Sequence, residues 1–293
     1  MHNKYSNSNI IIENLKTLSV RGQSINELVD SLINELITFE ITPRIKTKHS
    51  SSEIISELSS AIHILSNELT TCHKVNICKK ISDYCLKNHI DLWDLICRTD
   101  NVTLISNIAY VNNRFSKKAY SFFKGQLQNA KGYVYQSFNE MYDSVESGLC
   151  NCCIVPIENT TDGKLLAFYS IIERFDMKIS MVCDVEAEDG SERTRYALLK
   201  YHLFKPNDIY NTVCFEFNHT FSSDIELSEI LEAAVLCNLN ISRIDSLPLI
   251  HNDSNFIMHT VVCGKSPDIL NYLVYLSIHL SQFNALALYS IVK

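Results

Sequence analysis

The chain has 293 residues, of which 46% are hydrophobic and 20% charged, and its formal net charge is −7. This length allows two domains or three small ones, and the negative charge without a basic stripe excludes a general nucleic-acid-binding surface. The longest apolar run is interrupted at Glu232 and Asn238, and the N-terminus lacks a signal-peptide core, so we expect a cytoplasmic protein without membrane or nucleic-acid partners.

Eleven cysteines occur in the sequence. An odd number of cysteines in a chain without a secretion signal predicts reduced thiols that behave as small buried hydrophobic side chains. One group resembles a metal site, but none of its pairs has the tight spacing of a structural zinc knuckle: Cys72, His73, Cys78, Cys85 and His89. We therefore expect neither a metal ion nor a cofactor.

Residues 1–100 have the pattern of helices. Ser24 with Glu27 and Ser50 with Glu53 form capping boxes, each followed by apolar residues at helical spacing. A third helix is predicted from about Val75 to Leu86, followed by a short one around Trp93. Several amphipathic helices without strands predict a helical hairpin or a dimerising bundle.

From about residue 102 the pattern alternates between strands and helices, which predicts a parallel or mixed sheet. The N-terminal capping residues of the first two helices of this region are predicted to be Ser116 and Ser137, the latter paired with Glu140. Gly148 is expected to end the second helix. The predicted elements are strand 104–110, helix 116–123, strand 132–135, helix 137–148, strand 150–155, helix 164–175 and strand 178–182.

The stretch from Cys150 to Gly163 is central to this region. Its first half suits a buried strand, which we expect to stop at Pro156 because proline has no N–H for a sheet ladder. Short polar side chains follow, and a helical pattern begins at Gly163. A polar loop before a helix N-terminus predicts either a site for a carboxylate- or phosphate-sized anion or a polar cap on the turn.

Residues 211–293 follow the order strand, helix, strand, strand, helix, strand. This βαββαβ order is that of the ferredoxin-like fold. The predicted elements are strand 213–217, helix 224–237, strands 241–246 and 256–263, helix 267–280 and strand 285–292.

Three segments resemble prephenate dehydratases, which convert prephenate to phenylpyruvate in phenylalanine biosynthesis. Residues Val155 to Thr160 read Val-Pro-Ile-Glu-Asn-Thr, similar to the Val-Pro-Ile-Glu-Asn-Ser/Thr signature of that family. Upstream, Ser137 to Gly148 resembles the family's Ser-Phe helix, and downstream Thr194-Arg195-Tyr196 resembles its Thr-Arg-Phe/Tyr motif. The resemblance implies a periplasmic-binding-like α/β lobe over residues 101–205.

The family resemblance also implies roles for individual residues. Thr194 would lie nearest the leaving hydroxyl of prephenate, where a threonine can position or relay a proton. Asn159 and Thr160 would contact the substrate, and Arg195 would hold a carboxylate. Ser116 would be either a substrate contact or a helix cap.

The family's domain order suggests the remaining parts of the chain. Residues 1–100 are weakly similar to a chorismate mutase domain, whose activity we do not expect, and residues 211–293 resemble an ACT regulatory domain that binds phenylalanine and forms a dimer. Leu227, Asp245 and Ser246 would be the effector contacts. The architecture would thus be mixed α+β and α/β.

The dehydratase-like region departs from the family pattern at two places. The second dehydratase lobe, with its Ser-His-Pro-Gln motif, is missing between Val185 and Thr194, and the turn Val111 to Ser116 has no glycine. Two hypotheses follow: a prephenate dehydratase-type lyase, or a non-catalytic, ACT-containing binding or regulatory protein that responds to an aromatic amino acid.

Overall fold

The structure is a computed structural model. It describes residues 27, 30, 31, 34, 35, 53, 55, 59, 69–97, 106–127, 129–205, 212–220, 225–249, 252–280 and 283–290. Ser24 and Ser50, the predicted caps of the first two helices, lie outside the described residues, as does most of the predicted N-terminal helical segment.

Helices and strands alternate through most of the described chain. The α-helices are α1 (Thr71–Lys87), α2 (Arg114–Gln126), α3 (Phe138–Glu146), α4 (Leu166–Arg174), α5 (Leu227–Leu236) and α6 (Ser266–His279), and a 3₁₀ turn spans Leu92–Leu95. The strands are β1 (Asn107–Val111), β2 (Lys131–Tyr135), β3 (Cys152–Asn159), β4 (Gly163–Lys164), β5 (Lys178–Glu186), β6 (Arg193–Lys200), β7 (Val213–Thr220), β8 (Asn240–Leu249), β9 (Asn252–Gly264) and β10 (Phe283–Tyr289).

The chain forms two compact units. The first comprises residues 1–95 and 219–283, and the second comprises residues 96–218 and 284–293. In the first unit α1, α5 and α6 pack together, and β8 and β9 form an antiparallel pair. The buried Lys74 ammonium on α1 pairs with Glu229 on α5 at 3.1 Å, and the Tyr272 hydroxyl on α6 donates to the Ile230 carbonyl at 3.1 Å. Polar contacts thus join the three helices.

A mixed sheet forms the centre of the second unit, with strand order β2-β1-β3-β6-β5-β10-β7. β1 is parallel to β2 and β3, β6 is antiparallel to both β3 and β5, and β10 is parallel to β5. One face of this sheet packs against α2, with Ala119 and Phe123 in contact with a strand cluster that includes Ile108, Tyr196 and Leu198. The prediction of a mixed α/β sheet is confirmed.

Several local predictions are confirmed. The helix predicted near Val75 is α1, and Ser137 caps α3 by accepting a hydrogen bond from the Glu140 N–H at 3.2 Å. Gly148 follows α3 with a φ of +77°, a left-handed conformation that glycine adopts without strain. The last six elements have the predicted βαββαβ order. The assignment of an ACT domain to residues 211–293 stays a prediction. Asn284–Lys293, the last part of that range, belongs to the second unit.

The cysteines are mostly free and buried. Nine have free thiols, and eight of these are buried, whereas Cys214 and Cys263 are disulfide-bonded. The expectation of reduced thiols is therefore wrong for these two residues. Burial raises the pKa of Cys85 to about 11 and those of Cys183 and Cys237 to about 12, so these thiols are poor nucleophiles.

Candidate functional site at the ends of strands β3 and β6

The ladder between β3 and β6 brings two predicted motifs together. Asn159 on β3 is the register partner of Thr194 on β6. One residue further, the Thr160 N–H donates to the Arg193 carbonyl at 3.0 Å, and the Arg193 N–H donates to the Thr160 side-chain oxygen at 3.2 Å. Residues separated by more than thirty positions in the sequence therefore meet at one corner of the sheet.

The predicted end of the central strand at Pro156 is wrong, because β3 continues to Asn159. β3 pairs with β1 through Cys152 and Cys153, so the strand has passed beyond β1 when it reaches Pro156. Because β1 no longer needs a hydrogen bond from this part of β3, a proline without an N–H is tolerated there. The register between β3 and β6 shifts between Pro156 and Glu158.

The helix start predicted at Gly163 is also wrong, so neither the anion site nor the polar cap predicted there lies at a helix N-terminus. Gly163, with a φ of +70°, and Lys164 form the short strand β4, which pairs back onto β3. The polar residues between them make a tight turn, in which Asn159 donates to the Asp162 carboxylate at 2.9 Å and accepts from the Asp162 N–H at 2.5 Å. The helix α4 begins only at Leu166, and no side chain of the described residues caps it.

Thr194 and Arg195 point to opposite faces of the sheet, because successive strand residues alternate. Tyr196, two residues after Thr194, belongs to the core cluster under α2, so Thr194 shares the α2 face. Thr194 is buried, with 7% of its surface exposed. The two residues that the sequence motif places side by side therefore do not line the same surface.

Arg195 is held by two carboxylates on the other face. Its Nε and Nη2 atoms donate to the two carboxylate oxygens of Asp184 on β5 at 2.9 and 3.3 Å, and its Nη1 lies 3.6 Å from the Glu158 carboxylate on β3. The hydrogen bond to Asp184 raises the pKa of Arg195. Because the fork predicted for a substrate carboxylate already holds Asp184, the structure does not support Arg195 as a direct ligand.

Ser116 is not the cap of α2. Asn113 is the cap, since its side-chain oxygen accepts a hydrogen bond from the Ser116 N–H at 2.7 Å. The Ser116 side chain is fully buried close to Tyr196, and its hydroxyl makes no hydrogen bond of normal geometry with any described residue. Asn113 and Ser116 are both residue types that cap helices well, so the sequence pattern alone does not distinguish them, and α2 begins at Arg114, two residues earlier than predicted.

A hairpin joins β5 to β6 where the family resemblance implies a second lobe. The Ala187 N–H donates to the Glu192 carbonyl at 2.8 Å, and the Gly190 N–H donates to the Ala187 carbonyl at 3.1 Å. Gly190 has a φ of +70°, which the tight turn requires. The hairpin follows directly from the last pairs of the β5–β6 ladder, Val185 with Thr194 and Glu186 with Arg193.

A cavity of about 370 Å³ lies between this hairpin and the first two turns of α2. The carboxyl ends of β1 and β5 lead into it, which is where open α/β sheets place ligand sites. Its lining residues combine two cations, two carboxylates, a hydroxyl and an aromatic ring: Arg114, Phe115, Lys118, Ala187, Glu188, Asp189 and Ser191. Arg114 and Lys118 were not predicted as site residues, although two basic residues one helical turn apart just after a strand indicate a possible anion site.

The predicted effector residues lie in the first unit. Leu227 is the half-buried first residue of α5, and Ser246 is exposed on β8. The Asp245 carboxylate is 2.9 Å from Arg243 Nε and 3.5 Å from Nδ1 of the buried His259, its register partner on β9. The charge of Asp245 thus has protein partners on both strands of the hairpin.

Among the residues that the structure describes, no helix is both long enough and apolar enough to cross a membrane. In the same ranges, no group of three or more histidine, cysteine, aspartate or glutamate side chains is arranged to hold a metal ion.

Residues 112–188, about a quarter of the chain, match the family model of prephenate dehydratase. The matched segment runs from the end of β1 to the start of the β5–β6 hairpin and includes the Val-Pro-Ile-Glu-Asn-Thr motif. The chain therefore carries a segment of prephenate dehydratase type, which confirms the family resemblance. Thr194, Arg195 and the predicted ACT region lie outside the match.

Three solved structures are similar to the chain. Prephenate dehydratase from Streptococcus mutans has 14% identity and a TM-score of 0.49, covering 64% of this chain and all of that chain. A protein described as a novel type of quorum-quenching acylase has 18% identity and a TM-score of 0.48, covering 64% of this chain and 95% of its own. Prephenate dehydratase from Arthrobacter aurescens, in complex with L-Phe, has 13% identity and a TM-score of 0.46, covering 63% of this chain and 90% of that chain. No curated protein sequence matches the chain.

Proposed function

We propose that the chain is a lyase of prephenate dehydratase type, which converts prephenate to phenylpyruvate and so serves phenylalanine biosynthesis in the cytoplasm. The match of residues 112–188 supports this assignment. The observation that carries it is the β3–β6 ladder, which joins the Asn159-Thr160 motif to Thr194 although Thr194 lies outside the matched segment.

The reaction breaks two bonds and forms an aromatic ring. The bond between the ring and its carboxylate breaks, its electron pair enters the ring, and the hydroxyl on the opposite ring carbon leaves. The carboxylate departs as carbon dioxide, and the hydroxide takes a proton from solvent to become water. The protein has to orient the two carboxylates and donate hydrogen bonds to the departing oxygen.

We assign the hydrogen bond to the departing oxygen to Thr194. A threonine hydroxyl is too weak an acid to give up its proton fully, but it can position or relay one. Asn159, Thr160 and Ser116 form the polar border of the proposed site. Arg195 acts as a positioning residue from the opposite face, where its bonds to Asp184 and Glu158 fix β6 between β3 and β5.

The remaining assignments follow the family's domain order. We propose residues 1–100 as a helical, weakly mutase-like domain, 101–205 as a shortened dehydratase domain, and 211–293 as an ACT-type domain that forms a homodimer. Leu227, Asp245 and Ser246 would contact an aromatic amino acid effector. Neither a metal ion nor another cofactor has a part in the proposed reaction.

A turnover assay tests the proposal. Purified protein is given prephenate, and phenylpyruvate formation is followed for the wild type and for Thr194→Ala, Thr194→Ser and Thr161→Ala. Loss of the hydroxyl at position 194 should lower kcat by about a hundredfold or more, whereas serine should retain most of it. Thr161, exposed in the β3–β4 turn, is the matched control and should leave kcat unchanged.

Two results would contradict the proposal. Equal turnover by Thr194→Ala and the wild type would remove Thr194 from the reaction. Absence of turnover by the wild type, with prephenate or phenylalanine still raising the melting temperature, would instead identify the protein as the non-catalytic regulatory alternative.

A further inference from the structure

The cavity beside α2 contains the cations that Arg195 cannot supply. Arg114 and Lys118 lie one turn apart at the start of α2 and both line the cavity. Across the described chain, the Lys118 ammonium contacts the Glu186 carbonyl at 3.3 Å but no carboxylate. A guanidinium fork and an ammonium near a helix N-terminus together suit a carboxylate ligand.

One carboxylate of the chain already occupies this position. Glu188, in the β5–β6 hairpin, forms an ion pair with Arg114 across the cavity. Both side chains are largely exposed, at 60% for Arg114 and 70% for Glu188. An exposed ion pair is weak, so a ligand carboxylate can displace Glu188 at little cost.

The neighbouring carboxylate does not compete in the same way. Asp189 accepts hydrogen bonds from the Ser191 hydroxyl at 2.7 Å and from the Ser191 N–H at 3.1 Å, so it is held within the hairpin. The hairpin therefore presents one carboxylate to α2 and keeps the other in its own turn.

We propose that Arg114 and Lys118 bind one carboxylate of a dicarboxylate substrate, and that Glu188 takes the place of that carboxylate when the site is empty. This inference rests on the proposed function for the identity of the substrate. In this arrangement substrate specificity depends on the start of α2, where this chain has no glycine-rich turn. Glu188 in the β5–β6 hairpin is an internal competitor, because its carboxylate competes with the substrate carboxylate for Arg114 and Lys118.

Binding measurements with two probes test the inference. Prephenate is titrated into the full chain carrying Thr194→Ala, and malonate, a dicarboxylate that this reaction cannot consume, into the otherwise unchanged chain. Dissociation constants are taken from NMR titrations for Arg114→Gln, Lys118→Gln and Glu188→Gln. Lys117→Gln, on the exposed side of the same helix, and Glu146→Gln, on α3, are the matched controls.

Removing either cavity cation should weaken binding of both probes about tenfold or more, because each loses a charge-assisted hydrogen bond. Glu188→Gln should tighten binding by about two- to fivefold, the range expected for removing an exposed ion pair. Both controls should leave the dissociation constants unchanged. Because the replaced side chains are exposed, circular dichroism should show folded protein for every variant.

Each contrary result has a distinct meaning. If Arg114→Gln and Lys118→Gln bind as the wild type does, the carboxylate site is wrong even where prephenate is turned over. If Glu188→Gln does not tighten binding, the competitor role is wrong. If malonate binding responds as expected but prephenate is not turned over, the proposed reaction fails while the anion site stands. Absence of binding by both probes overturns the inference.

Discussion

Arg195 and Arg114 lie at the same end of the second unit's sheet, yet their surroundings differ sharply. Arg195 is held between Asp184 and Glu158 on neighbouring strands and is 28% exposed. Arg114 begins α2, is 60% exposed and meets a single carboxylate from a hairpin. The first arrangement stabilises the register of three strands, whereas the second leaves a cation available to a ligand. The position of an arginine in a family motif therefore does not by itself make it a ligand-binding residue.

The largest expected effect comes from breaking the Arg195 pairing. Arg195→Met leaves Asp184 and Glu158 close together without their cation, and we expect it to lower the free energy of unfolding by about 2 kcal/mol. This value is below that for a fully buried pair because the groups are about one-third exposed. Arg114→Met should change the free energy of unfolding by less than about 0.5 kcal/mol. Urea denaturation measures both.

The double variant Arg195→Met with Asp184→Asn is the control for this prediction. Removing the orphaned carboxylate charge should recover part of the lost stability, since the penalty comes largely from uncompensated charge. Equal losses for Arg195→Met and Arg114→Met would show that the two arginines do not differ in the way their contacts suggest.

A smaller effect is expected on the α2 face. The Ser116 hydroxyl is buried without a hydrogen-bond partner among the described residues, and such a group costs free energy on folding. Ser116→Ala should therefore leave the free energy of unfolding unchanged or raise it by up to about 1 kcal/mol. Because Asn113 is the cap, no helix cap is lost. Urea denaturation checks the stability, and prephenate turnover checks the proposed substrate contact.

A loss of more than about 1 kcal/mol in Ser116→Ala would mean that the hydroxyl makes a stabilising bond in solution. Asn113→Ala provides the comparison, because it removes the cap that Ser116 was predicted to be. That variant should lower the free energy of unfolding by about 1 kcal/mol.

Local signals predicted much of the fold. The Ser137–Glu140 capping pair, Gly148 and the apolar spacing of α1 each depend on a few neighbouring residues, and the structure has all three features where the sequence placed them. Non-local pairing was not predictable in the same way. That β3 could continue beyond Pro156 depended on where β1 ended, and the parallel pairing of β10 with β5 joins residues about one hundred positions apart.

The site was predicted unevenly for the same reason. The motifs gave Asn159, Thr160 and Thr194, and the β3–β6 ladder does bring them together. The motif could not show that Thr194 and Arg195 point to opposite faces toward different partners. Asp184 is found only once β5 pairs with β6, and the cavity exists only because the hairpin returns to α2.

The smallest expected effect concerns the hairpin that faces Arg114. The hydrogen bonds from Ser191 lower the pKa of Asp189, a fully exposed carboxyl group. A carboxyl whose pKa is lower in the folded chain contributes stability above its unfolded pKa, and loses it as the pH falls through the folded value.

Ser191→Ala should raise the pKa of Asp189 toward its ordinary value, as measured by NMR titration of the carboxyl carbon, while Ser170→Ala on α4 should not change it. At neutral pH Asp189 stays ionised in both proteins, but only in the variant can it turn toward Arg114 and Lys118. Weaker malonate binding by Ser191→Ala would support a second internal competitor, and an unchanged Asp189 pKa would show that Ser191 does not hold that carboxylate.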